Sequence, residues 1–299
     1  MARAMYAKLG AILALALTAC APMAPVKTMS SGAALASQCQ GRDGWSDPAP
    51  PAHIFANVYM VGTCGIVSLL VTSPKGHILI DGATAEAAPL IAANIRTLGF
   101  HPTDVKYLLS SHEHYDHVGG LAVLKGITGA RMLARAEARK SLETGISDPT
   151  DPQLAILPPF AGIKVDQIVQ DGETITLGPI KLTAIATPGH APGGTSWTWK
   201  SCAGATCHQF VFADSLGAVS ADAYRFTDHP AYVAVLRATM KRVSEWQPCD
   251  VLIAPHPAQS RFFERLSGKE PLADPAGCAI YAKAAMERLD VRLLKEAAQ

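Results

Sequence analysis

The 299-residue chain has no basic run, and its 26 Lys and Arg stand against 25 Asp and Glu. A nucleic-acid or polyanion partner needs concentrated positive charge, so nothing here points to one. The apolar stretch from Ile12 to Ala19 is too brief to span a bilayer. Neither G-x-S-x-G nor S-x-x-K occurs, so the common signatures of a serine nucleophile are missing. What the chain does have is apolar residues, 49% of the total, enough to bury a sizeable core in one large domain or two small ones.

The first residues read as an export signal, with Arg3 and Lys8 ahead of the short apolar core. Cys20 ends "LTAC", which resembles a bacterial lipobox, so a lipid anchor at Cys20 is expected; ordinary cleavage after "ACA" or "PMA" is the alternative. The expected organisation is a signal over 1–19, a tether and irregular lead-in over 20–40, and one catalytic domain over 41–299. The mature protein is placed in the periplasm or on the outer membrane, as a monomer. Without Cys20 the chain keeps six cysteines, Cys39, Cys64, Cys202, Cys207, Cys249 and Cys278. Six allow 15 pairings. Cys202 and Cys207 flank "AGAT" between two strand-like runs, which suggests a hairpin staple.

From residue 54 onward, strand-like and helix-like segments alternate, as in an α/β domain of two packed sheets with helices outside. "VKYLLSS" reads as a buried strand, and "HEHYDH" follows it directly. In an extended segment, residues two apart point the same way, so His112 and His114 can face one ion. Asp116 and His117 lie where the chain turns into a helix and can serve a second ion. Imidazoles with a single carboxylate suit zinc better than magnesium or calcium. His190, after "ATPG", and His256, after "VLIAP", also end strand-like runs and supply further ligands. His53, His77, His101, His208 and His229 are read as structural or surface residues. Trp197 and Trp199 share a strand face and are expected in the core. The Pro-rich loop over 145–162, with Gln153, Leu154, Ile156 and Phe160, is expected to line the cleft.

"HEHYDH" fits the H-x-H-x-D-H signature of the metallo-β-lactamase superfamily. "TPGHAPGGTSWTWKS", "VFADSL" and "CDVLIAPHP" are similar to its subclass B3, from about residue 54 to the C-terminus. The resemblance implies an αβ/βα four-layer sandwich with two Zn2+ per chain. One zinc is held by His112, His114 and His190, the other by Asp116, His117 and His256. It implies disulfides Cys39–Cys64, Cys202–Cys207 and Cys249–Cys278. It also implies hydrolysis of a small-molecule β-lactam by a zinc-bound hydroxide, with Asp116 orienting the nucleophile and Ser215 and Gln153 contacting substrate. Many relatives acting on lactones or thioesters use a bridging carboxylate where this chain has Asp214. The subclass gives Asp214 a supporting role instead. Asp81 is read as the partner of a ligand histidine. Gly217 stands where the subclass often has a second hydroxyl for the substrate carboxylate.

Overall fold

Short strands, three of them (Leu69–Val71, His77–Ile80 and Val251–Ile253) buried along their whole length, build the sheets of this computed structural model. It describes Met1 and residues 30–298, so most of the expected signal, and Cys20, lie outside the described residues. The first sheet has seven strands in chain order: β1 (Ala52–Phe55), β2 (Val58–Met60), β3 (Leu69–Val71), β4 (His77–Ile80), β5 (Val105–Leu109), β6 (Arg131–Ala134) and β7 (Gln167–Ile168). Its first four strands pair antiparallel, and β4 to β7 pair parallel. The second sheet runs β12-β11-β10-β9-β8, from β8 (Thr174–Leu177), β9 (Ile180–Ala186), β10 (Thr195–Ala203), β11 (Thr206–Phe212) and β12 (Val251–Ile253).

Among the described residues the eight α-helices are α1 (Gly32–Gln38), α2 (Ala88–Thr97), α3 (Tyr115–Val118), α4 (Leu121–Thr128), α5 (Ala136–Thr144), α6 (Pro230–Ser244), α7 (Phe262–Leu266) and α8 (Gly277–Ala297). Side chains alternate along each strand, so each sheet has two faces to cover. Met60, Leu69, Ile78 and Ile80 of the first sheet meet Trp197, Trp199, Phe210 and Phe212 of the second. The outer face of the first sheet, with Leu70, Leu79 and Leu108, packs on α2, α4 and α5 through Ile91, Ile95, Leu124 and Leu142. Val211 and Leu252 on the other outer face meet Leu236, Met240, Tyr281 and Leu289 of α6 and α8. The result is the expected αβ/βα sandwich. Truncating a fully buried aromatic such as Phe210 to alanine would cost about 3–5 kcal/mol.

Residues ahead of 41 already pack on the sandwich. Within the stretch read as tether and irregular lead-in over 20–40, Ser31 caps α1 by accepting from the Ala34 N–H at 3.1 Å. Leu35 is fully buried in the inter-sheet core, and α1 packs on α7. Seven residues, all but Leu35 of them Gly, Ala, Ser or Gln, show little periodicity, so tertiary burial of one leucine decides this helix. β6 was likewise hidden: four residues between two helices are too few to display a period.

Candidate metal centre

The site forms where strand ends of both sheets meet. β5 ends at Leu109, and a short bent segment leads to His114, whose backbone is extended (φ −83, ψ 150) before the single turn of α3. The rings of His112 and His114 converge, with centroids 4.6 Å apart, and Asp116 and His117 leave from the helical turn. His190 arrives on the β9–β10 loop and His256 on the segment after β12. Ligand atoms of His112, His114 and His190 lie within 4.8 Å of one another, as do those of His112, Asp116 and His117. Asp116 Oδ2 is 3.1 Å from His117 Nε2 and 3.4 Å from His256 Nε2. The structure thus brings all six expected ligands together as two adjoining sets.

The opposite ring nitrogens are occupied. His112 Nδ1 faces Asp214 Oδ1 at 2.8 Å, and His114 Nε2 faces Asp151 Oδ2 at 2.7 Å. His117 Nδ1 lies 3.2 Å from Asp81 Oδ2, and His190 Nδ1 donates to the Gly217 carbonyl at 2.8 Å. Such partners fix ring orientation and tautomer in metal sites. Asp81 adopts a left-handed backbone (φ 61), which a short polar side chain tolerates. From there its carboxylate also accepts from the Ser111 N–H at 2.6 Å and from the Ser111 hydroxyl at 2.7 Å.

Whether these residues fit a metal can be tested on their free atoms. His112 Nε2 and His117 Nε2 are buried and make no hydrogen bond, although Asp116 is close to the second. Unpartnered buried nitrogens are costly, and coordination to a cation removes that cost. Burial first, then the neighbouring imidazoles, brings His190 down to about 3 and His256 down to about 4. His112 is held well below its ordinary value for the same reasons. Neutral imidazole is the form that binds metal. Burial works against the ionised Asp116 carboxylate, but His117 and His256 outweigh it and hold its pKa below the usual range. His117 is raised despite its burial, because Asp116 and Asp81 flank it. Five imidazoles and one carboxylate suit zinc.

The remaining expected residues fall as follows. Gln153 is buried, with its amide nitrogen 3.5 Å from His190 Nε2, so its loop does reach the centre. Ser215 is buried, donates its N–H to Asp214 Oδ1 at 2.7 Å, and leaves its hydroxyl without a partner. Leu154 and Ile156 are exposed, whereas Phe160 packs with the α2, α4 and α5 cluster instead of lining the cleft. All three expected disulfides are present. Asp151 was not anticipated. It sits among several Asp and Pro residues with no local signal to separate it from a turn former. Glu113 was also passed over, and burial pushes its carboxyl up to about 7.

A sequence profile of the metallo-beta-lactamase superfamily matches residues 61–202. The solved structure of the metallo-β-lactamase MIM-1 from Novosphingobium pentaromativorans is 49% identical, with a TM-score of 0.86 over 88% of this chain and 98% of that one. BJP-1, a subclass B3 metallo-β-lactamase of Bradyrhizobium japonicum, is 32% identical with a TM-score of 0.77, over 86% of this chain and 98% of that one. Among curated relatives, an N-acyl homoserine lactonase of Agrobacterium fabrum is 31% identical over 43% of this chain and 57% of its own length. A probable metallo-hydrolase of Burkholderia pseudomallei is 32% identical over 44% of this chain and 46% of its own length. The chain spans about half the length of the curated relatives it matches. With the four-layer fold, the two adjoining ligand sets and this likeness over nearly whole solved chains, the protein belongs to the metallo-β-lactamase superfamily and to its subclass B3.

Proposed function

We propose that the chain hydrolyses the amide bond of β-lactam antibiotics with two zinc ions. The observation that carries this reading is the position of Asp214. A carboxylate shared by two ions would lie between the ligand sets. Asp214 instead sits at the Nδ1 edge of His112, away from the free Nε2. That arrangement separates the chain from the lactone and thioester reading, in which this carboxylate bridges.

Bound zinc supplies a water ionised near neutral pH and a Lewis acid for the carbonyl oxygen. His112, His114 and His190 would hold one ion, and Asp116, His117 and His256 the other. Asp116, at the junction of the two sets, is placed to orient the attacking water through a hydrogen bond. Asp81, Asp151, Asp214 and the Gly217 carbonyl keep four imidazoles in position, so little reorganisation is left for the reaction. Gln153 and Ser215 are the substrate contacts on this reading.

Export to the periplasm, with or without a lipid on Cys20, belongs to the same proposal, as does protection of the host cell from β-lactams. The leader sequence and three disulfides support export, since disulfides persist in oxidising compartments. The decisive test is hydrolysis of a penicillin, a cephalosporin and a carbapenem by purified protein, with and without a chelator. Zinc-dependent ring opening is expected. A zinc-replete protein that spares all three but cleaves lactones or thioesters would favour the other reading.

A further inference from the structure

We infer that Glu113 is a positioning residue, whose buried carboxylate locks the loop carrying His190 to the segment carrying His112 and His114. The inference rests on the reading that these three histidines hold one ion.

Glu113 lies between His112 and His114 but joins neither ligand set; its carboxylate turns instead to the loop that carries His190. It is fully buried, and its Oε1 accepts the Gly193 N–H at 2.8 Å. Gly193 lies three residues beyond His190, on the loop joining two strands of the second sheet. Two further contacts hold this loop to the first half of the sandwich. Arg135 donates to the Gly194 carbonyl at 3.0 Å, and the Thr195 N–H donates to the Ser111 carbonyl at 2.6 Å. Of the three, the Glu113 bond alone starts between two ligands of the ion that the loop completes.

Packing does not account for a carboxyl at this position. Its Oε2 is buried without a partner, a cost that an apolar side chain filling the same seam would avoid. The approach also demands glycine opposite. A Cβ on Gly193 would come within 2.6 Å of Glu113 Oε2 and 2.5 Å of the Ala138 Cβ. Glu113 and Gly193 thus form one device that sets the distance between the His112–His114 pair and His190.

The test is zinc affinity, read for each ion by competition with a chromophoric chelator. His190→Ala and His256→Ala reference variants mark which step belongs to which ion. Glu113→Ala and Glu113→Asp are expected to weaken the tri-histidine ion by about 10–100-fold, the scale for losing a supporting group behind a ligand. The second ion should stay within about threefold, because its ligands do not depend on this bond. Glu113→Gln keeps an oxygen at the same reach and should retain the tri-histidine ion. If Glu113→Ala fails to fold, the Asp and Gln variants decide, since one keeps the charge and the other the reach. Wild-type affinities in Glu113→Asp, equal weakening of both ions, or a Glu113→Gln protein that loses the tri-histidine ion would each overturn the inference. A wild type that takes up no zinc would overturn the metal reading along with it.

Discussion

At the scale of single residues, Asp214 and Gly217 separate the chemistry of the metal from that of the substrate. Asp214 touches the ring of His112 and the N–H of Ser215, and Tyr281 donates its hydroxyl to the Asp214 carbonyl at 3.0 Å. Asp214→Asn is therefore expected to keep two zincs per chain by elemental analysis at saturating zinc. Affinity for the ion on His112 should fall by about tenfold, as for other lost partners of ligand histidines. Loss of one whole ion at saturation would mean that Asp214 is itself a ligand. Gly217 differs in kind. A Cβ there would meet Val219 at 3.4 Å and His190 Nδ1 at 3.9 Å, so serine fits without displacing backbone. One hydrogen bond to a substrate carboxylate is worth about 1.5–3 kcal/mol. Gly217→Ser should lower KM for a β-lactam by about tenfold with kcat little changed, measured by steady-state kinetics.

At the scale of elements, the three disulfides hold different things. Cys202–Cys207 closes only five residues at the end of the β10–β11 hairpin remote from the histidines. Cys249–Cys278 spans 29 residues and ties the start of α8 to the residue two places before β12. One turn into α8, Tyr281 holds Asp214. Loop-closure entropy predicts a loss of about 2 kcal/mol for the Cys202/Cys207 double serine variant and about 3.5 kcal/mol for Cys249/Cys278. Urea denaturation should rank them in that order, and equal losses would argue against the entropic account. Cys39–Cys64 closes 25 residues and anchors the segment whose Gly65 backbone raises the pKa of His256 against the effect of burial. Its removal should weaken the second zinc as well as the fold, which the chelator competition would detect.

At the scale of the whole molecule, metal and proton compete for a largely buried centre shared by both halves. In the metal-free protein His117 is raised by Asp116 and Asp81 and holds a proton at neutral pH. Its contribution to stability is fully present below its unfolded value and is lost as pH rises through the raised folded value. The metal-free protein should therefore lose stability on the alkaline side. Zinc needs the same nitrogen without its proton, so binding the second ion releases about one proton and its affinity rises about tenfold per pH unit. Calorimetry in buffers of different ionisation enthalpy between pH 6 and 8 checks this. No proton release would show that His117 is neutral before zinc arrives.

Local chemistry was enough to single out His112, His114, Asp116 and His117 as candidate ligands, because four such residues in six positions after a buried strand have few other uses, and strand-end context added His190 and His256. The strand and helix blocks of the larger elements were legible for the same reason: period two or 3.6 is written into consecutive residues. The partners of those ligands were only partly legible, Asp214 through the family resemblance alone. Asp81 was read as a supporting carboxylate, but Asp151 looked like a turn residue and Glu113 like a spacer. His112 and Asp214 are 102 residues apart, and Glu113 and Gly193 are 80 apart. Nothing in either neighbourhood encodes the other, since each pair exists only once the two sheets have packed and their strand ends share one buried site. The kind of metal chemistry is thus a property of short segments, whereas the orientation of each ligand belongs to the closed sandwich.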